Sequence, residues 1–209
     1  MNPNAVPTAY IVDDDESTRE LWRWLLESQG VAVRLFPSAK AFIDSYRRGD
    51  PGCLVLDVRM PRMSGPELQD YLRRETINLP IVFVSAYGDV PTAVNALKLG
   101  AVDFIQKPFD YRVAVATVMR ALERDAQEGQ LRARRKELAG RLAALTARER
   151  EVMALVIEGK PNKVIAETLD ISIRTVEFHR ANVMEKMGAT SVATLVQLVA
   201  LSGIPAETS

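Results

Sequence analysis

The chain has 209 residues, with 27 basic and 27 acidic side chains, so its formal net charge is zero and charge alone singles out no partner. Apolar residues make up 47%, enough to bury the core of one large domain or two small ones. The single cysteine, Cys53, excludes an intramolecular disulfide, no apolar run approaches the ~20 residues of a membrane span, and Met1–Tyr10 does not read as an export signal, so a cytoplasmic protein is expected.

From residue 8 to about 120, short apolar runs alternate with amphipathic stretches. Ala9–Val12, Val31–Phe36, Cys53–Leu56, Ile81–Val84 and Val102–Ile105 read as strands. Between them, Glu16–Gln29, Ala39–Arg48, Gly65–Glu75 and Val90–Leu99 carry helical periodicity. Gly30, Gly49 and Gly100 stand where left-handed caps are expected. Strict alternation implies a doubly wound parallel sheet covered on both faces, its central strands almost wholly apolar. Trp22 and Trp24 lie two apart on the first helix, so one is expected to be packed and the other exposed.

The ends of the strands carry the chemistry. Asp13, Asp14 and Asp15 follow the first strand, Asp57 the third, Ser85 the fourth, and Lys107-Pro108 the fifth. In a parallel sheet these positions share one edge, where ligands bind. Carboxylates so close repel and need a cation; hard oxygen donors with waters completing the shell suit Mg²⁺. A lysine beside them orients a phosphoryl group. The chemistry that fits is phosphoryl transfer to a carboxylate. Read alone, each residue is only a capped turn or a solvated acid; together they make one site.

Residues 8 to about 122 resemble a two-component receiver domain of the CheY-like, flavodoxin-type fold, through Val12-Asp13-Asp14-Asp15, Leu56-Asp57-Val58-Arg59-Met60-Pro61, Ser85-Ala86 and Lys107-Pro108-Phe109. The resemblance implies that Asp57 is the phosphoacceptor. It also implies that Asp14 directly, Asp13 through water, and the backbone carbonyl of Arg59 complete an Mg²⁺ site with Asp57. Ser85 and Lys107 would bind the phosphoryl oxygens, the Lys107-Pro108 bond would be cis, and Phe104 would turn inward as Ser85 moves. Arg59 and Tyr87 fall at variable positions that leave the phosphate lifetime open. Asp15 has no assigned role and reads as solvated.

Asp110 is placed to cap a helix through Ala114, Val118, Ala121 and Leu122. Beyond it Leu131, Leu138, Leu142 and Leu145 recur at helical spacings among polar residues, a thin stripe that suggests an exposed linker helix, weakened at Gly129 and Gly140. Arg132, Arg134, Arg135 and Lys136 read as a solvated face.

From Thr146 the pattern is all-helical. Thr146 to Glu149 is a capping box, Gly159 ends that helix, and Pro161-Asn162-Lys163 opens a short second one carrying Val164, Ile165, Ala166 and Leu169. Asp170-Ile171-Ser172 is a tight turn, Ser172 caps a helix over Ile173–Met187, and Gly188 closes it before a last helix. Two helices joined by a tight turn are the helix-turn-helix plan. Val176, Val183 and Met187 should face the core, leaving Arg174, Glu177, Phe178, Ala181 and Glu185 outside. Residues 141–209 hold eight basic and eight acidic side chains, so a monomer should bind DNA weakly.

Leu145–Val152, Pro161–Ala166 and Ser172–Val183 resemble LuxR-type DNA-binding domains, and the two halves together look most like the FixJ branch of the NarL/FixJ response regulators. The resemblance implies a receiver over 1–122, a helical linker over 123–142 and a DNA-binding domain over 143–209. It further implies a sensor histidine kinase as donor, a homodimer on phosphorylation, double-stranded DNA as target and RNA polymerase as partner, with transcription activated rather than repressed. Lys163, Ser172, Arg174, Thr175, Glu177, Phe178 and Ala181 would form the DNA face. Two alternatives remain open at this point. Asp13-Asp14-Asp15-Glu16-Ser17 fits the D-x-D-x-S pattern of haloacid-dehalogenase-type phosphatases, with Asp13 as nucleophile, and the helical domain could be a protein-docking module.

Overall fold

A computed structural model describes residues 6–86 and 90–202; Tyr87 lies outside them. The chain divides into two units, Met1–Gly129 and Gln130–Ser209.

In the first unit β1 (Thr8–Val12), α1 (Glu16–Glu27), β2 (Ala32–Phe36), α2 (Ala39–Ser45), β3 (Gly52–Asp57), α3 (Gly65–Arg74), β4 (Ile81–Ser85), α4 (Val90–Lys98) and β5 (Asp103–Gln106) alternate without exception, and α5 (Tyr111–Ala143) begins there. The five strands are parallel in the order β2-β1-β3-β4-β5. The chain steps from β1 out to β2, then returns to the other side of β1, so a switch point falls between β1 and β3, where the crevice of a doubly wound sheet opens.

Side-chain alternation divides the core into two layers. Tyr10, Val12, Leu54, Leu56 and Phe83 pack with Phe42, Leu68 and Leu72 on one face. Ala9, Ile11, Cys53, Val55, Val82 and Val84 pack with Trp22, Leu26, Ala114 and Val118 on the other. Trp22 is 1% exposed and Trp24 68%, the division their spacing predicts. Burial of Cys53 pushes its thiol far above the ordinary range, so it packs rather than reacts.

Element ends differ in places from the sequence reading. Helix α2 stops at Ser45, because Tyr46 turns extended, stacks on Phe42 and donates its hydroxyl to the Asp50 carbonyl at 3.1 Å. Strand β3 includes Asp57 instead of ending before it. Helix α5 runs through both Gly129 and Gly140 without a break. Asp110 caps it, accepting from the Arg112 amide at 2.7 Å.

The second unit holds the C-terminal part of α5 with α6 (Ala147–Ile157), α7 (Asn162–Leu169), α8 (Ile173–Met187) and α9 (Val192–Ser202). Of the leucine stripe, Leu131 is exposed while Leu142 and Leu145 join a core with Val152, Ile165, Val176, Val183, Met187 and Leu195. Arg134, Arg135 and Lys136 are exposed. Local signals set the helix ends. Thr146 and Glu149 form the expected capping box, Ser172 accepts from the Thr175 amide, and Asp170 takes the left-handed conformation between α7 and α8. Among the described residues no helix is long and apolar enough to cross a membrane.

Candidate functional site

The register of β1 on β3 pairs Val12 with Leu56, so the next residue of each strand, Asp13 and Asp57, comes to the same edge. Both are buried, at 3% and 9% exposure. Lys107, just past β5, donates to Asp13 Oδ2 at 3.0 Å and Asp57 Oδ1 at 3.1 Å. One ammonium thus bridges carboxylates from two different strands. Its position is set by the backbone, since the Lys107 amide donates to the Ser85 carbonyl at 2.7 Å and the Lys107-Pro108 bond is cis. Ser85 ends β4 with 3% exposure and completes this buried edge.

The remaining carboxylate oxygens are held by backbone. Asp57 Oδ2 accepts from the Arg59 amide at 2.7 Å, and Asp13 Oδ1 from the Asp15 amide at 2.9 Å. Burial pushes the Asp13 carboxyl above its ordinary range, against the hydrogen bond from Lys107. For Lys107 burial acts against the charged form, yet its bonds to Asp13 and Asp57 together outweigh it and hold the ammonium above its usual range. The edge therefore carries more negative charge than one lysine neutralises. Asp14 and Arg59 are exposed beside it. Among the described residues no three His, Cys, Asp or Glu side chains form a ready-made metal group. In this arrangement the hard donors are the two buried carboxylates, neighbouring Asp14 and backbone carbonyls. Phe104 is half-buried on β5 and stacks on Phe83 at 6.3 Å between centroids.

Several contributors had no legible signal in the sequence. Gly65 opens α3 where an added Cβ would lie 2.3 Å from the Asp57 carbonyl oxygen and 2.9 Å from the Phe83 ring, so only glycine lets that helix approach β3. Arg19 donates to the Asp13 carbonyl at 2.7 Å. Asp15 is the N-cap of α1, accepting from Ser17 and Thr18, and the Ser17 hydroxyl's hydrogen bond holds its carboxyl below the ordinary range. Asp15 is exposed, as its reading as a solvated acid implies, and the structure adds a capping role. Asp125 of α5, buried, accepts from the Gly52 amide at 2.8 Å and ties the helix to the far end of β3.

The second unit presents α8 with Val176, Val183 and Met187 buried beneath it. Lys163, Ser172, Arg174, Glu177, Phe178 and Ala181 are all exposed, and Thr175 is partly so. Polar ties fix α8 against its neighbours. Arg180 donates to the Asn162 side chain on α7 at 3.0 Å, and Lys186 reaches Glu149 at the start of α6 at 2.6 Å. Glu149 is 3% exposed and also accepts from the Thr146 amide; the Lys186 bond, with that amide, brings its pKa down to about 2.

Comparison with known proteins agrees with both units. The family described as "Response regulator receiver domain" matches residues 9–119, and "Bacterial regulatory proteins, luxR family" matches residues 143–199. The transcriptional regulatory protein FixJ of Azorhizobium caulinodans is 45% identical over 98% of this chain and 97% of its own. The C4-dicarboxylate transport transcriptional regulatory protein DctR of Rhodobacter capsulatus is 45% identical over 91% of this chain and 98% of its own. The solved structure of the response regulator StyR superimposes with a TM-score of 0.87 at 43% identity, covering 94% of this chain and 99% of that one. Full-length FixJ from B. japonicum gives 0.58 at 42% identity over 94% and 97%. Receiver domains of this family bind Mg²⁺ for phosphorylation, pair with sensor kinases and here precede a DNA-binding domain. The chain belongs to the two-component response regulators that join a receiver to a LuxR-type helix-turn-helix, and it is a DNA-binding transcriptional regulator.

Proposed function

We propose that Asp57 accepts the phosphoryl group. The observation that carries this is its placement: a buried carboxylate at the end of a central strand, sharing one lysine with Asp13. The donor, the phosphohistidine of a sensor kinase, presents its phosphorus to an Asp57 oxygen; the new O–P bond forms as the N–P bond breaks, and the imidazole leaves. Asp13, Asp14, Asp57 and the Arg59 carbonyl suit Mg²⁺, which keeps most of its waters and needs only one or two carboxylates from the protein. When bound, it supplies the positive charge that lets two anions meet. Lys107, already 3.1 Å from Asp57, passes to the phosphoryl oxygens, and the Ser85 hydroxyl donates to them.

Movement of Ser85 vacates space that Phe104 fills, and the altered surface favours a homodimer. The phosphate acts only by favouring one of two states. In this reading residues 1–122 are the receiver, 123–142 the linker and 143–209 the DNA-binding domain of a cytoplasmic protein. The dimer places two α8 helices in successive major grooves. Lys163, Ser172, Arg174, Thr175, Glu177, Phe178 and Ala181 face the duplex, and RNA polymerase is recruited beside it to activate transcription. The test is peptide mapping after incubation with acetyl phosphate and Mg²⁺. Phosphoryl mass on the Asp57 peptide, absent in Asp57→Asn and without Mg²⁺, supports the reading. Label on Asp13 overturns it.

A further inference from the structure

Opposite its buried stripe, α8 carries a second one. Arg174, Phe178, Ala181 and Glu185 follow at spacings of four, three and four, and all are exposed. Phe178 stands out, since its ring is 63% exposed on a helix whose packing is complete without it. An edge contact with His179, 5.7 Å between centroids, supports the ring against the helix surface. A single exposed apolar side chain is ordinary on a protein surface; what sets Phe178 apart is its place in the middle of the face that the helix-turn-helix plan turns toward a duplex.

We propose that Phe178 selects thymine in the bound site. This rests on the reading of α8 as the helix that enters the major groove. A phenyl ring can neither donate to nor accept from a base edge, so its only discriminating contact there is the thymine C5-methyl, which no other base carries. Its place along the helix agrees. Arg174 lies one turn nearer the N-terminus, where the Ser172 cap and free amides favour phosphate. Glu185 lies two turns further on, and its charge keeps the C-terminal half away from the backbone. Phe178 therefore falls at the depth of the bases. Ala181, one turn on, is small enough to let the groove floor come close. Glu177 is acceptor-only, so the base it faces must offer an amino hydrogen, and it plays no part in sensing a methyl.

The test uses the full chain treated with acetyl phosphate and Mg²⁺. A binding site is selected from a pool of random duplexes, and each thymine in it is then replaced by deoxyuridine, which removes only the methyl. Binding is read by fluorescence anisotropy. One position per half-site should weaken wild-type binding on the order of fourfold, the transfer free energy of one methyl-sized group. Phe178→Ala should bind the thymine and deoxyuridine forms equally, and Phe178→Leu should keep part of the discrimination. Glu177→Gln should leave the thymine-to-deoxyuridine ratio unchanged. So should Arg174→Ala, while weakening all sequences and lowering the salt dependence. Wild-type indifference to deoxyuridine at every position, or an unchanged ratio in Phe178→Ala, overturns the assignment. A phosphorylated chain that selects no duplex overturns the DNA reading beneath it as well.

Discussion

The edge of the receiver sheet and the outer face of α8 are built in opposite ways. The first gathers Asp13, Asp57, Ser85 and Lys107 from four strand ends and buries or half-buries each. The second draws its residues from one helix and the turn before it, and leaves almost all of them in water. A site that must tune charge needs low dielectric and fixed neighbours; a surface that must meet a duplex needs reach. It follows that substitutions at the receiver edge alter charge balance and stability together, whereas on α8 stability lies beneath the helix and recognition above it.

The largest effect should come from beneath. Met187 is wholly buried, and Met187→Ala should cost about 2–5 kcal/mol of stability in the helical unit, measured by denaturant unfolding. A loss within experimental error would mean that the core beneath α8 is not what holds it. At the receiver edge, Asp13→Asn should do the reverse. Because the folded carboxyl is raised above its ordinary 3.8, its ionisation opposes folding. Stability contributed by the protonated form is complete below 3.8 and is lost as pH rises through the folded value. Thermal melts at neutral pH should therefore show the variant more stable than wild type; a lower melting temperature would break the contrast.

Smaller effects sharpen it. Ser172→Ala removes the cap of α8 and should cost about 1 kcal/mol, weakening DNA binding by fraying the helix start. Glu149 has the opposite sign to Asp13. Its folded value of about 2 lies below the ordinary 4.5, so its contribution is full above 4.5 and fades as pH falls toward 2. Glu149→Gln should flatten that acid limb of the stability profile. Smallest of all, Phe178→Ala should change stability by no more than about 0.5 kcal/mol, since the ring is mostly in water.

The same contrast explains what could be read in advance. Strands, helices and the stripe under α8 follow from hydrophobic period, and caps such as Thr146, Ser172 and Asp110 from local chemistry. The acidic edge was legible because parallel topology sends every strand end one way. What escaped are pairs distant in sequence and polar at both ends. Neither Asp125 on Gly52 nor Lys186 on Glu149 leaves a periodic trace. Gly65 was visible only as a helix start, and its need for close approach to Asp57 appears once β3 and α3 are packed. Asp15 read as surplus charge because its partners, Ser17 and Thr18, are as ordinary in a solvated loop as in a cap.

The central claim is that charging one carboxylate at the sheet edge governs what the helical unit does. The most direct measurement is duplex affinity of the full chain, with and without acetyl phosphate and Mg²⁺, in wild type and Asp57→Asn. The account predicts markedly tighter binding for treated wild type and no response in the variant. Equal tightening in both, or none in a wild type shown by mass to carry the label, would contradict it.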